Sequence, residues 1–298
     1  MRVFKVKQIT HAICGAFAVW GLTWAATTSA DAEMLEEITI IGSKVELDSV
    51  AGSAYVITEE DLDRFDYVDL RKVLNQAPGV YIREEDGYGL RPNIGIRGAA
   101  AERSQKITLM RDEVLITPAP YSAPAAYYVP NVSRVSGIEV VKGPAAVTHG
   151  PHTVGGAVNI MSASIPADLG GMLDLSYGSD GYYKAQAAYG GVSGNFGYLA
   201  DVLSYGADGF KSIDDHGDAT GFERTDVGLK LRYQDPDSAR QHRVTLLVEG
   251  GEEKADETYL GLTDADFRDN PYRRYTASQL ARFESEHVNV LLNYSLSL

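Results

Sequence analysis

The stretch from Glu139 to Ser162, EVVKGPAAVTHGPHTVGGAVNIMS, decides how the first half of the chain folds. It contains the pairs Gly143-Pro144 and Gly150-Pro151, seven residues apart, and then Gly155-Gly156 followed by an apolar tail. Glycine-rich segments of this kind cradle phosphate in nucleotide enzymes, or they make turns between short strands. The neighbouring residues discriminate between these two interpretations.

The residues around these glycines argue against a phosphate-binding loop. A Walker loop needs Lys after its last glycine, whereas Pro151 follows Gly150. A dinucleotide loop opens a helix, whereas residues 157–160 favour a strand. His149 and His152 have the spacing of a metal pair, but no further His, Cys or carboxylate cluster accompanies them, which favours exposed turn residues. The pattern therefore predicts turns between short strands.

Composition limits the class of protein. The chain has 298 residues, of which 44% are hydrophobic and 23% charged, enough for two domains and too apolar for a disordered chain. The net charge of −14 argues against nucleic acid as a partner, because phosphate backbones are bound by clustered Lys and Arg. Cys14 is the single cysteine, so no disulfide forms within the chain.

The N-terminus has the pattern of a secretory signal peptide. Basic residues precede an apolar run from Ile9 to Ala26, and Ala30-Asp31-Ala32 has the A-x-A cleavage pattern. A signal anchor is the alternative. Cleavage after Ala32 removes Cys14, and export of this kind indicates a bacterial protein.

The sequence pattern of residues 48–165 predicts a small mixed α+β domain. Thr58 and Asp61 fit a helix-capping signal, apolar residues up to Leu74 have helical spacing, and Pro78-Gly79 ends the helix. Short strands are predicted at Val80–Arg83, Asn93–Arg97, Lys106–Met110, Glu113–Ile116 and Gly137–Lys142.

Beyond Pro166 the pattern changes to a two-residue period, typical of strands with one apolar and one polar face. Six strands are predicted, near residues 172–177, 183–189, 196–205, 226–233, 243–249 and 288–295. Short turns alternate with long loops, and tyrosines lie near strand ends, as in an outer-membrane barrel. A secreted β-sandwich is the alternative, although charged inward faces suit a barrel lumen better than a dry core.

Several motifs resemble the TonB-dependent outer-membrane receptors. IEVVKGPAAVTHGPHTVGGAVNIMS is similar to their plug signature, LRKVLNQAPGV to the opening helix and turn, NIGIRG to the central strand, and ITLMRDEVLI to the next hairpin. RPNIGIRG, PAPYSAPAAYYVP and ADETYLGLTDADFRDNPYRRY resemble the ferric dicitrate branch. EEITIIGS resembles a TonB box.

The resemblance implies an α+β plug domain followed by antiparallel strands of a transmembrane β-barrel. It divides the chain into a signal peptide at 1–32, a TonB-box segment at 33–47, a plug at 48–165 and the first six barrel strands at 166–298. A barrel of about 22 strands needs about twice this length, so we expect the barrel to be incomplete and the chain to be a fragment or a truncated frame. The few residues before the box leave no room for the N-terminal signalling domain that this branch often carries.

The resemblance also implies import of an Fe(III) chelate, ferric citrate or a similar siderophore, across the bacterial outer membrane. The partners are then outer-membrane lipid and TonB with its inner-membrane energising complex. The TonB-binding segment contains Glu37, Ile38, Thr39, Ile40 and Ile41. An extended segment offers backbone groups that add a strand to a partner's sheet edge, and a disordered linker is the alternative.

Ligand-binding residues are expected at the plug apex and in the last long loop. The plug candidates are Arg103, Ser104, Gln105 and Lys106, and the loop candidates are Arg268, Arg273 and Arg274. A guanidinium suits a ferric carboxylate because its planar fork makes two bonds. The alternative for the plug residues is that they are ordinary solvated loop residues with no ligand. The loop arginines have an equally good alternative in pairing with Asp264, Asp266 and Asp269.

A second set of residues is expected to be structural. Within the family Arg97 lies inside the plug, which implies that it helps to hold the plug to the barrel wall, and the plug signature adds Gly98, Gly143, Pro144, Gly150, Gly155 and Gly156. No catalytic motif is found, so we expect no enzyme, no covalently bound cofactor and no resident metal. Receptors for haem, cobalamin, another metal or a carbohydrate remain alternatives, as does an exported partner-binding module that transports nothing.

Overall fold

The computed structural model describes residues 53–64, 66–116, 127–150, 152–217, 220–235 and 242–296. They form two compact units that meet in sequence between Ser164 and Ile165. The predicted signal peptide and the predicted TonB-binding residues Glu37 to Ile41 lie outside the described residues, as do residues 117–124. Within the described ranges, no helix is both long and apolar enough to cross a membrane.

The first unit contains two short helices where the sequence predicted one. Helix α1 spans Glu59–Asp63 and helix α2 spans Leu70–Leu74. The predicted capping signal is confirmed, because the Thr58 hydroxyl accepts the Asp61 N–H and the Asp61 carboxylate accepts the Thr58 N–H. The single helix is wrong because Asp69 caps a new start, its carboxylate accepting the Arg71 N–H at 2.8 Å.

The described residues of this unit also form seven strands, and the five predicted ones are confirmed to within two residues at each end. Strands β2 (Val80–Glu84) and β3 (Pro92–Ile96) form a hairpin. The main sheet contains β1 (Ser53–Ile57), β4 (Ile107–Arg111), β5 (Val114–Leu115), β6 (Val135–Lys142) and β7 (Gly156–Ser162). Its strand order is β1-β6-β7-β4-β5. Only the β4–β7 pair is parallel within this sheet as described.

The core of the first unit lies between the sheet and the two helices. Strands β4 and β7 of the main sheet, and β3 of the hairpin, are buried along their whole length. Each fully buried aliphatic side chain stabilises the fold by about 1.5–3 kcal/mol. The principal contributors are Ile57, Leu74, Ile94, Ile96, Ile107, Ile138 and Ile160.

The opening glycine-rich stretch makes turns, as the sequence predicted. Residues Pro144–His149 form a short 3₁₀ segment, flanked by Gly143 at φ 90° and Gly150 at φ 119°. Both angles suit glycine because a Cβ atom crowds the backbone there. Gly156 opens β7 at φ 153°, and a Cβ atom built on it would lie 2.4 Å from the Val141 carbonyl oxygen. The close approach of β6 to β7 therefore requires glycine at this position.

We expect Gly156→Ala to destabilise the first unit by about 2 kcal/mol or more, because the new Cβ atom forces the two central strands apart. Thermal unfolding of the purified chain in detergent measures the effect. Gly98→Ala is the matched control, since a Cβ atom there meets no atom within 4 Å. Equal melting temperatures for the two variants would contradict this account.

The second unit is built on one six-stranded antiparallel sheet. All six predicted strands are confirmed, and most extend beyond their predicted ends. They are β8 (Gly170–Tyr177), β9 (Tyr183–Ser193), β10 (Phe196–Ala207), β12 (Phe222–Asp235), β13 (His242–Ala255) and β15 (Phe283–Leu296). Their order in the sheet is β15-β13-β12-β10-β9-β8.

Two long loops lie at the same end of this sheet. The first long loop, residues 208–221, joins β10 to β12 and contains β11 (Ser212–Ile213). The second long loop, residues 256–282, joins β13 to β15 and contains helix α3 (Asp264–Asp269) and β14 (Arg273–Arg274). At the opposite end, β9 turns into β10 over two residues.

One face of the six-stranded sheet is apolar and exposed. Directly opposed residues share a face, and the register joins Leu231 to Leu246 and Leu246 to Leu292. Leu175 is 68% exposed and Leu292 69% exposed. An exposed apolar face of this extent marks a surface that meets another apolar phase or partner.

The opposite face is largely buried and carries the charged residues, interspersed with apolar side chains such as Leu203 and Leu247. Lys184 pairs with Asp174 at 2.6 Å, and the Arg224 guanidinium contacts Asp226 at 2.8 Å and Glu253 at 3.5 Å. Buried charges are tolerated when they are paired and hydrogen-bonded. This arrangement inverts a water-soluble sheet, which buries its apolar face and exposes its charges.

Candidate ligand-binding loops

The first candidate group lies in the loop that joins β3 to β4, two strands of different sheets. Residues Glu102–Ser104 form a single 3₁₀ turn in which Arg103 and Ser104 both have positive φ, 50° and 55°. The Arg103 N–H donates to the Asn93 side-chain oxygen at 2.6 Å. This bond and the turn present the Arg103 side chain outward on a fixed backbone.

The four predicted plug residues differ in accessibility. Arg103 and Lys106 are exposed, Gln105 is half-buried and Ser104 is fully buried. The Ser104 hydroxyl accepts the Ile94 N–H at 2.9 Å and donates to the Pro92 carbonyl at 3.2 Å. Ser104 therefore anchors the β3–β4 loop to β3, and its hydroxyl is occupied in that role.

Arg273 in the second long loop is held by two carboxylates. Its Nε contacts both Asp214 oxygens at 2.9 Å, and another guanidinium nitrogen contacts Asp266 at 2.6 Å. Hydrogen bonds from Thr263 and Tyr275, together with the charge of Arg273, lower the pKa of Asp266. A lowered pKa keeps this carboxylate ionised until the pH falls below its ordinary titration range, so the pair persists in mild acid.

Arg274 is buried and bonded to its own loop. Its Nε donates to the Ser278 hydroxyl at 2.8 Å, and a second nitrogen donates to the Ser278 carbonyl at 2.6 Å. The remaining nitrogen donates to the Asp256 carbonyl. Burial lowers the pKa of Arg274. Of the three predicted aspartate partners, Arg273 contacts Asp266, and its second carboxylate is Asp214 of the first long loop. The Arg274 hydrogen bonds go instead to the Ser278 hydroxyl and to backbone carbonyls.

Arg268 is the exposed arginine of the three. It lies in α3, whose start is capped by Thr263, the hydroxyl accepting the Asp266 N–H at 3.2 Å. Its side chain is exposed at the end of this short helix. Within the described part of the loop, Arg268 is thus the predicted residue that remains accessible to an anion.

The predicted structural residues of the plug also differ from one another. Arg97 has φ 56° and its N–H donates to the Gly79 carbonyl at 2.7 Å, but its side chain is exposed rather than inside the domain. The difference arises because the left-handed residue directly after β3 turns the chain toward the surface. Gly155 donates its N–H to the Lys106 carbonyl at 2.7 Å, which links β7 to the β3–β4 loop. Gly98 has no steric requirement for glycine.

A buried polar row in the main sheet escaped the sequence analysis. The Asn159 amide donates to Glu139 at 3.0 Å and accepts the Glu113 N–H at 2.9 Å. The Lys142 ammonium donates to the Pro78 carbonyl at 2.9 Å. The available signal was the presence of Glu and Lys inside the otherwise apolar strand IEVVK. Among the described residues, no group of three or more His, Cys, Asp or Glu could hold a metal ion.

Lys142 makes the stability of the first unit pH-dependent. Burial, and then the charge of Arg97, lower its pKa below 10.5 in the folded state. The unfolded chain therefore binds more protons, so the free energy of unfolding rises as the pH increases from the folded-state pKa to the ordinary value.

We expect Lys142→Met to abolish this rise in stability, because methionine does not titrate. Urea unfolding across neutral to alkaline pH measures it. Lys72→Met is the matched control, since Lys72 is exposed on α2 and the variant should keep the wild-type slope. A Lys142→Met slope equal to that of the wild type would show that another group titrates.

Residues 46–157 match the TonB-dependent Receptor Plug Domain family and form such a plug domain. The chain is 28% identical over 176 residues to the vitamin B12 transporter BtuB of Photobacterium profundum, covering 59% of this chain and 27% of the transporter. The chain therefore spans little more than a quarter of the length of that relative.

The structure is similar to solved receptors in both units. The ferric citrate transporter FecA in its unliganded form matches with a TM-score of 0.66 and 26% identity over 85% of this chain and 38% of that chain. The ferripyoverdine receptor of Pseudomonas aeruginosa matches with a TM-score of 0.55 and 18% identity over 68% of this chain and 26% of that chain, which shows a shared fold alone. A plug domain followed by antiparallel strands is the architecture of these receptors.

Proposed function

We propose that this chain forms the plug and part of the barrel wall of an outer-membrane receptor that imports a ferric chelate with energy supplied through TonB. The observation that carries the proposal is the inverted six-stranded sheet following a plug domain in sequence. Lipid stabilises an exposed apolar sheet face, whereas water does not. A β-sandwich or a water-soluble partner-binding module would bury that face.

The outer membrane of a bacterium is the location that this sheet fits. Backbone groups in lipid must be paired within the protein, and antiparallel strands pair them through their ladders. Aromatic side chains near the turns, such as Phe196 against Tyr233 and His242 bonded to Tyr294, suit the interface between lipid and water.

A ferric carboxylate is the ligand class that the accessible residues fit best. Arg103, Lys106 and Arg268 offer exposed cationic donors in a chain of net charge −14. The similarity to the ferric citrate transporter supports ferric citrate or a similar siderophore. Similarity to a vitamin B12 transporter makes cobalamin the second candidate.

Uptake by the full-length protein tests the function. A host that lacks its own ferric citrate and cobalamin receptors is given radioactive ferric citrate or labelled cobalamin, with and without TonB. TonB-dependent accumulation of iron supports the proposal, and accumulation of cobalamin supports the second candidate. If neither iron nor cobalamin accumulates although the protein is correctly inserted in the outer membrane, a module that does not transport is favoured.

We expect Arg103→Gln combined with Lys106→Gln to weaken ferric citrate binding about tenfold or more, because each charged hydrogen bond to a carboxylate contributes about 1.5–3 kcal/mol. Fluorescence quenching of the purified full-length protein measures the affinity. Arg64→Gln on α1 is the control, since Arg64 is exposed and pairs with Glu60 at 3.3 Å. Unchanged affinity in the double variant would remove the β3–β4 loop from the binding site.

TonB is proposed to bind the segment Glu37 to Ile41 by strand addition. We expect Ile38→Pro to abolish TonB-dependent uptake while ligand affinity stays unchanged, because proline removes a backbone donor from the added strand. Ile38→Val is the control, since valine keeps the donor and the β-branched shape. Normal transport by Ile38→Pro would place TonB binding elsewhere.

A further inference from the structure

The two long loops of the second unit are joined by a short parallel ladder. Strand β11 of the first long loop pairs with β14 of the second, Ser212 with Arg273 and Ile213 with Arg274. The Ser212 N–H donates to the Tyr272 carbonyl, and the Asp214 N–H donates to the Arg274 carbonyl, both at 2.9 Å. Backbone bonds thus connect segments that are about 60 positions apart in sequence.

Arg273 ties three segments with one guanidinium. It contacts Asp214 in the first long loop at 2.9 Å and Asp266 in α3 at 2.6 Å, and it is itself part of β14. The guanidinium carbon of Arg273 also lies 5.2 Å from the centroid of the Tyr275 ring, and the Tyr275 hydroxyl donates to the same Asp266 carboxylate. A forked, planar cation bonded to two carboxylates fixes direction as well as distance.

Further contacts repeat the link on either side of Arg273. Lys211 contacts the buried Glu257 at 2.7 Å, and Phe210 meets Tyr272 edge to face with ring centroids 6.2 Å apart. The Thr276 hydroxyl donates to the Asp214 carbonyl at 2.9 Å. The position of one loop on the other is therefore determined by several independent bonds.

We propose that the two long loops form one preassembled body, the loop clasp, and that Arg273 is the positioning residue that holds it together. The loop clasp comprises residues 208–217, 220–221 and 256–282. Arg273 does not contact the ligand in this account, because its fork is already occupied by Asp214 and Asp266. The role of the clasp in ligand capture rests on the proposed function, whereas its existence does not.

The clasp offers a rigid surface rather than two independently closing loops. Ordering two long loops on binding costs conformational entropy, and a preassembled pair has that cost removed before the ligand arrives. Ligand then enters without separating the first long loop from the second. The exposed Arg268 is carried on this body at a position fixed by the Asp266 contact in the same helix.

Hydrogen exchange of the full chain, without any ligand, tests the clasp. We expect Arg273→Gln to speed exchange of the Ser212 and Asp214 amides in the first long loop at least tenfold, although the substitution lies in the second. Asp214→Asn, which keeps the side-chain shape, should speed exchange around β14 to a similar extent, and the two changes combined should add little. Arg268→Gln is the matched control and should change neither loop.

Amides of the six-stranded sheet report in the same experiment whether each variant is folded. Faster exchange confined to the substituted loop, or unchanged exchange in both loops, would overturn the proposal. If the sheet amides exchange faster in Arg273→Gln but not in Asp214→Asn, the Arg273 variant is not folded normally. The test then rests on Asp214→Asn, in which exchange must become faster around β14 in the loop that was not substituted.

A reversible cross-link tests the role in capture. The His216 and Gln279 side chains join the two loops at 3.1 Å, so His216→Cys with Gln279→Cys places two thiols for a short bis-thiosulfonate reagent. We expect the cross-linked full-length protein to bind ferric citrate within twofold of the reduced form, with each single-cysteine variant as control. A tenfold loss that reduction reverses would overturn the rigid clasp. Failure of the reduced form to bind ferric citrate would count against the proposed function alone, and hydrogen exchange would still decide the clasp.

Discussion

An antiparallel sheet that exposes its apolar face and pairs its charges on the other is stable only where the exposed face meets an apolar phase. Every larger feature of the second unit depends on this constraint. The register places Leu231, Leu246 and Leu292 in one row across three strands, and Lys230, Leu247 and Leu291 in the row on the opposite face. A shift of one residue in β12 or β13 would bring a charge such as Lys230 or Glu249 to the apolar side. The apolar interior of a membrane therefore constrains the register of the strands as well as the residue composition of the exposed face.

The plug domain obeys the opposite rule, since its core is apolar and enclosed. Several buried polar side chains of this domain are hydrogen-bonded to one another, as in the bond between Asn159 and Glu139. Asp112 adds another, its carboxylate accepting both the N–H and the hydroxyl of Ser162 at the end of β7. These bonds offset part of the cost of burying the polar atoms that they join. The glycine-rich stretch lets β6 and β7 approach closely enough for this sheet to form.

The loop clasp changes how the arginines of the second long loop are understood. From composition, three arginines in an acidic loop suggest either a clamp for an anion or internal ion pairs. The structure assigns Arg273 and Arg274 to internal bonds and leaves Arg268 exposed. Charge type alone does not reveal this division, because all three residues offer the same guanidinium. The decisive partner, Asp214, lies in a different loop, and its proximity follows from the strand order.

The sequence by itself determined the two units, the six alternating strands, the capped start of α1 and the turns at Gly143 and Gly150. These features depend on residue periods and local backbone chemistry, which neighbouring residues carry. Tertiary structure alone decided the break between α1 and α2, the burial of Ser104, the surface position of Arg97 and the joining of the long loops through Arg273. Each of these depends on contacts between segments far apart in the chain, and no local pattern encodes which distant partner a side chain will meet.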